Sequence, residues 1–513
     1  MLARTYSFTP VGVDAQLVEV EIDLRSTGQE AFTVIVGLPD TAVKESKERL
    51  EASLRNAGFE FPRKRVLVNL APADVKKQGP IVDLAMAIGI LIASRQLVAP
   101  DDRQTALLGE LALDGTVRPV RGALAAALAA RAVGVRRLIV PRENALEAAL
   151  VPQLDVYAAG SLGEAVRILE TPTEFEPVQV DCAALFHQAQ HCDLDMSDVY
   201  GQEQAKRAAE IAVAGGHNLI LIGPPGSGKT MLARRIATIM PDMTLEEAIE
   251  TTRIHSIRGL LNAAMPLVAT RPFRAPHHTI SDAGLVGGGI SIDPGEVSLS
   301  HNGILFLDEF AEFSRRALEV LRQPLEDGFV TIARAAGTLT FPARFMLIAA
   351  MNPCPCGFFG HPTKACTCTT QYIAKYRTKL SGPLLDRIDI HVEMPSVTYT
   401  ALRARAGGDS SAVIRERVQA ARARQTARFQ GTTTRCNAHM TSAAVKKWCA
   451  LAADAQQVLK QVMDELGFSA RAYDKIQRVA RTIADLAGSE HIQQPHVLEA
   501  AQHRNLDRKY WER

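Results

Sequence analysis

The sequence predicts an α/β protein: a nucleotide-binding core built on a parallel sheet, an α+β part before it and a helical part after it. Three observations carry this reading. An apolar strand, Asn218 to Ile222, runs into the loop Gly223, Pro224, Pro225, Gly226, Ser227, Gly228, Lys229, Thr230 and then into a helix-like stretch, Met231 to Met240. A second apolar strand, Gly303 to Leu307, ends in Asp308 and Glu309. Toward the C-terminus, Ile476, Val479, Ala480, Ile483 and Leu486 recur at helical spacing, the pattern of a core-facing stripe.

The elements follow in order. Residues 1–170 mix short strands and helices. Val18 to Leu24 alternates apolar and polar residues, as a half-buried strand does. Lys44 to Ala57 and Asp83 to Ser94 read as helices, and Arg137 to Val140 as a buried strand. Residues 171–195 read as a linker, residues 196–395 as the nucleotide core, and residues 396–513 as a helical lid. No internal repeat or low-complexity tract interrupts this order.

Composition narrows the class. The chain has 513 residues, a net charge of +2 and 47% hydrophobic residues, enough for several packed domains and without a global basic bias. A ring-shaped motor can still confine basic groups to a pore. No apolar run has the length of a membrane span, and the first residues lack the apolar region of a signal peptide. The expectation is a cytoplasmic protein without membrane contact. Eight cysteines in so long a chain do not suggest a disulfide scaffold.

The loop residues Gly223 to Thr230 suit a triphosphate. Glycines let backbone N–H groups close around phosphate oxygens, Lys229 reaches the β- and γ-phosphates, and the Thr230 hydroxyl can hold Mg²⁺. The following helix N-terminus adds the positive end of its dipole. Asp308 can order the Mg²⁺ shell, and Glu309 can polarise the attacking water. A third strand, Phe345 to Ala350, ends in Met351, Asn352 and Pro353. Asn352 can position that water or simply begin a turn. Arg387, in Ser381 to Asp389, can act on a neighbour's nucleotide or form a surface ion pair with Asp386 or Asp389.

This order resembles the AAA+ ATPases, and specifically the magnesium-chelatase-like ComM/YifB family, over nearly the whole chain. Asp198 to Gln202 resembles the family's segment ahead of the phosphate loop, and Arg271 to Thr279 with Gly287 to Gly289 its helix-2 insertion region. The resemblance implies ATP and Mg²⁺ as cofactors, Asn352 as sensor 1, Arg387 as arginine finger and Arg471 as sensor 2 on a lid helix. It also implies a homo-hexameric ring. The pair His277 and His278 has no carboxylate or cysteine cluster nearby in sequence, which argues against a metal there.

Two further features need a place. Cys354, Cys356, Cys366 and Cys368 flank a short polar loop, and four thiolates there suit tetrahedral Zn²⁺. The alternatives are redox pairs or buried thiols, and His361 is a spare ligand. Phe329 to Arg334 and Thr338 to Phe341 read as a β-hairpin, with Arg334 near its tip as a candidate DNA phosphate contact.

Residues from Val36 to Leu169 resemble the Lon-type proteolytic domain, through Lys76 to Ile81, Gly115 to Gly122 and Gly134 to Asn144. That mechanism needs a Ser nucleophile and a Lys base. The matching positions hold Ile81 and Ala126, so the dyad is missing. Lys76, Lys77, Arg118 and Arg121 are candidate phosphate contacts or solvated surface. The resemblance implies an ATP-dependent helicase that acts on single-stranded or branched DNA. It would promote branch migration as incoming DNA is integrated during natural transformation. The competing reading is a chelatase-like remodeller of a polypeptide partner.

Overall fold

Strands that are apolar on both faces must be covered on both sides, which favours a parallel sheet between helices. In the computed structural model, Leu219–Ile222, Ile304–Leu307 and Met346–Met351 are buried throughout. The structure describes residues 2–26, 32–98, 103–189, 194–262, 264–289, 292–334, 337–396, 408–466 and 470–504. The core sheet has five strands in the order Phe273–Arg274, Ile304–Leu307, Met346–Met351, Leu219–Ile222, Ile390–Glu393. All four pairings are parallel, with Leu219 opposite both Ile348 and Ile390, and Ile304 opposite Met346. Parallel register brings the carboxyl ends of these strands to one edge, where ligands of open α/β sheets bind.

The N-terminal part is α+β. Leu2–Val11 and Asp14–Arg25 form an antiparallel hairpin, and Arg65–Ala71 pairs antiparallel with the second strand and parallel with Thr33–Val36. The helix Asp83–Ala93 is apolar on nearly every side and lies buried in this core. A second, parallel sheet joins Thr105–Leu107, Arg137–Pro141 and Asp155–Ala159. The expected helix from Lys44 starts earlier, at Thr41, because Asp40 accepts the Val43 N–H and caps it.

The described residues of 171–195 are more structured than a linker. Cys182–Ala189 is a helix, and Phe175, Val178, Val180 and Phe186 pack on the N-terminal core. Their apolar side chains are spaced irregularly around Pro172 and Pro177, so periodicity alone did not signal this packing. The N-terminal part is also fastened to the core helix Leu245–Ile257. Ser256 donates to the buried Glu147 carboxylate, and Arg253 pairs with Asp14 at 2.9 Å.

The C-terminal part is helical, with Ser411–Arg428, Ala453–Leu466, Ala470–Leu486 and Gln494–Gln502 as its longer elements. Asp389, just before the edge strand Ile390–Glu393, joins it to the core. Its carboxylate lies 3.1 Å from His217 and 3.3 Å from Lys475. Burial alone would raise this carboxyl, but Lys475 and His217 hold it well below the usual carboxylate range. Its stabilising effect is therefore present above the unfolded carboxylate pKa of about 4 and is lost as pH falls further. Asp389→Asn leaves the buried Lys475 ammonium without its counter-charge. It should cost about 3 kcal/mol in urea unfolding at neutral pH.

Candidate nucleotide site

The phosphate loop links the central strand Leu219–Ile222 to the helix Lys229–Ile236. Gly226 and Gly228 take φ of +78° and +91°, a left-handed conformation that other residues adopt only with strain. Gly228 caps the helix, so its first N–H groups face the cleft. Gln202, in the segment ahead of the loop, donates to the Ser227 carbonyl at 3.2 Å and so steadies the loop from outside.

Lys229 is nearly buried. Its ammonium donates to the carbonyls of Gly223 and Pro224 at 2.7 and 2.9 Å and to Asn352 Oδ1 at 3.2 Å. Burial lowers its pKa to about 8, against the pull of Asp308, which leaves it cationic at neutral pH. Thr230 Oγ1 donates to Asp308 Oδ2 at 2.7 Å. This hydroxyl–carboxylate pair, on neighbouring elements, is the oxygen set that Mg²⁺ prefers. The residues present therefore fit the metal expected from the loop.

Glu309 stands at a φ of +52°, unusual for a bulky residue, and its backbone N–H is held by Asp308 Oδ1 at 2.9 Å. Its carboxylate meets His278 Nδ1 at 2.9 Å. The pair His277 and His278, which its sequence surroundings argue against as a metal site, thus contributes a carboxylate partner instead. The strand Phe273–Arg274 is hydrogen-bonded beside Ile304–Leu307, so the residues that follow each strand end together. Arg274 pins the first strand through a two-pronged pair with Glu296, at 2.6 and 2.7 Å. His278 thus holds the Glu309 carboxylate in place. His278→Ala should lower turnover about tenfold, the effect of a misplaced reacting group, with nucleotide affinity within about twofold of wild type. A split between kcat and KM in steady-state hydrolysis reads this out.

The loop, Asp308, Glu309, Asn352 and the two histidines line one cleft of about 660 Å³, within the range of small-molecule sites. Arg387 does not line it. Its guanidinium contacts Glu326 and the Pro383 carbonyl, and it borders a separate cleft with Arg344, Lys475 and Arg478. Among the described residues, no lid residue lines the phosphate cleft. Arg471 is the second residue of the helix Ala470–Leu486, and its side chain lies outside the described residues. Lys475 and Arg478, four and seven residues further along that helix, border the Arg387 cleft instead.

The four cysteines converge. Sγ separations are 3.4 Å for Cys354–Cys356, 3.7 Å for Cys354–Cys366 and 3.5 Å for Cys356–Cys366. Cys368 completes a group whose thiols all lie within 4.8 Å of one another. The backbone N–H of Phe358 helps hold the Cys356 thiol down to about 5. His361 is not part of the group: its Nδ1 accepts from the N–H groups of Thr363 and Lys364 at 3.2 and 3.1 Å.

The hairpin forms from Phe329–Arg334 and Gly337–Pro342, with Arg334 exposed beside its tip, while Ala335 and Ala336 lie outside the described residues. In the N-terminal part, Ile81 and Ala126 are both packed in the core. Lys77 is neither surface nor a phosphate contact. It is buried with its ammonium on the Pro72 carbonyl, and burial lowers its pKa despite Asp74. Lys76 and Arg118 are exposed, and Arg121 lies against Gly259. No helix among the described residues is long and apolar enough to cross a membrane.

Comparison with known proteins agrees with this geometry. The family described as magnesium chelatase, subunit ChlI, matches residues 195–402. Its companion families, subunit ChlI of Mg-chelatase and the ChlI C-terminal part, match residues 18–144 and 408–504. The chain is 45% identical over 514 residues to competence protein ComM of Haemophilus influenzae, covering 99% of this chain and 98% of that protein. It is 42% identical over 512 residues to a protein named YifB from Escherichia coli, again covering 99% and 98%. A weaker likeness, 26% over 184 residues, links it to Lon protease 2 of Bacillus subtilis, covering 32% of each. With full-length relatives of this similarity and a phosphate loop, acidic pair and polar strand end on one sheet edge, the chain belongs to the ComM/YifB family of magnesium-chelatase-like AAA+ proteins.

Proposed function

We propose that this protein is an ATP-driven ring motor that moves on single-stranded or branched DNA and promotes branch migration during uptake and integration of DNA. The observation that carries this reading is the full-length likeness to a protein named for competence. The exposed Arg334 beside the hairpin tip adds to it, because a hairpin facing a pore needs a cation for phosphate.

In this reading ATP sits in the cleft with its phosphates on the loop N–H groups and Lys229. Thr230 and Asp308 would hold Mg²⁺, which would supply neutralisation of phosphate charge. Glu309, aimed by His278, takes the proton from water, and Asn352 holds that water in line. Arg387 lies away from its own cleft, so it serves a neighbour's nucleotide in a homo-hexamer. Arg471, on the lid helix Ala470–Leu486, would sense the γ-phosphate from the C-terminal part. Hydrolysis then shifts the lid against the core and moves the hairpin along DNA. The four-thiol loop holds structural zinc.

A second reading, a chelatase-like remodeller of a polypeptide, is favoured by the family matches to ChlI. The full-length likeness to a protein named for competence weighs toward the motor. Arg334→Ala tests the DNA path of the motor reading. It should leave basal ATP hydrolysis unchanged and weaken DNA stimulation and branch migration severalfold, with a shallower salt dependence of DNA binding. Equal DNA response in the variant would remove Arg334 from the DNA path.

A further inference from the structure

We infer that the metal state of the four-thiol loop sets the affinity of the phosphate loop for nucleotide, through the contact of Gly357 with Pro225. The inference rests on the nucleotide site and zinc reading proposed above, and it adds a physical link between them.

The thiol geometry already has the size of a metal site. Zinc–sulfur bonds of about 2.3 Å give a tetrahedron with edges of about 3.8 Å. The Sγ separations among Cys354, Cys356 and Cys366, 3.4 to 3.7 Å, fall just inside that and far beyond a disulfide bond, and Cys368 lies within 4.8 Å of them. Four cysteine sulfurs drawn this close can all turn on one cation between them. Binding of Zn²⁺ would displace the thiol protons and tie Cys366 and Cys368 back to Cys354 and Cys356.

Closure of that loop bears directly on the nucleotide site. Gly357 follows the ligand Cys356 and takes a φ of +83°. A Cβ there would lie 2.5 Å from Pro225 Cδ and 2.8 Å from Pro225 Cγ, with Asn352 Cγ next at 3.8 Å. The backbone of the thiol loop is thus seated against the phosphate loop and beside Asn352, which accepts from Lys229. The turn is fastened at both ends. The Gly357 N–H donates to the Cys354 carbonyl at 3.0 Å, and the Phe359 N–H donates to Cys354 Sγ at 3.3 Å. Arg377 holds the other side, donating to the Pro353 carbonyl at 3.3 Å and lying over the Phe359 ring at 5.0 Å. Metal binding removes the freedom of the loop in advance, so the nucleotide does not have to order it. Pre-organisation of this kind appears as affinity.

The test uses the full chain and a fluorescent ATP analogue, with zinc measured by atomic spectroscopy. A pyridyl chelator selective for Zn²⁺ over Mg²⁺ removes the metal. The expected result is one zinc per chain, a Kd about tenfold weaker after stripping, and recovery on adding Zn²⁺ back. Gly357→Ala supplies the second arm: it should keep its zinc and still bind the analogue about tenfold more weakly, because its methyl displaces Pro225. A zinc-free protein with four freely titratable thiols would overturn the metal part. Stripping, or Gly357→Ala, with no change in Kd would overturn the link. Affinity is read without DNA, so failure of the motor reading would show separately, as absent DNA stimulation.

Discussion

Glu309→Gln is expected to bind ATP as tightly as the native chain and to hydrolyse it about a thousandfold more slowly, within the range of lost general-base catalysis. The reasoning is geometric. In the proposed site, phosphate binding would fall to the loop N–H groups and Lys229, and the Mg²⁺ oxygens would come from the hydrogen-bonded pair Thr230 and Asp308. Glu309 joins none of these contacts. Its backbone is held at a φ of +52° by Asp308, and its carboxylate by His278. The amide preserves size and can still accept from His278, but it cannot take a proton from water. Equilibrium binding of a labelled analogue alongside single-turnover hydrolysis checks both halves. Loss of binding in the variant would mean that Glu309 is part of the phosphate or metal site instead.

Arg387→Ala is expected to retain nucleotide binding and lose about a thousandfold in turnover, in line with other arginine fingers. Arg387 borders a cleft with Arg344, Lys475 and Arg478 rather than the phosphate cleft of its own chain. A guanidinium placed there can help hydrolysis only across a subunit boundary. In the single chain its charge is taken by Glu326. Mixing experiments give the decisive readout. Chains lacking Arg387 but with an intact loop, combined with Lys229→Ala chains that keep Arg387, should regain activity at mixed interfaces. No recovery together with unchanged turnover in the single variant would return Arg387 to the role of a surface ion pair.

The parts of the site that were legible in the sequence are those encoded locally. The phosphate loop needs its glycines, Lys229 and Thr230 in one run, and Asp308 and Asn352 follow apolar strands that read clearly. The sheet then brings those strand ends together. What the sequence did not reveal depends on topology. His278 and Glu309 follow different strands, and only the parallel pairing of Phe273–Arg274 with Ile304–Leu307 makes them neighbours. The signal available was a polar residue just past a short strand, and the metal question obscured it. Gly357 touches Pro225 across more than a hundred residues, which no local pattern encodes. Lys77 misled for another reason. A long cationic side chain reads as surface unless a carbonyl is waiting inside, as Pro72 supplies. The C-terminal helix stripe was read correctly because burial of Ile476, Val479, Ala480 and Ile483 follows directly from 3.6-residue periodicity.

The most direct measurement is steady-state ATP hydrolysis by the full chain, alone and with single-stranded or branched DNA, using Glu309→Gln as the control. The expected result is hydrolysis that rises severalfold with DNA, more with branched than with fully duplex DNA, and vanishes in the variant. Hydrolysis that is lost in the variant but indifferent to every DNA, with no DNA binding, would contradict the motor and leave a protein remodeller in its place.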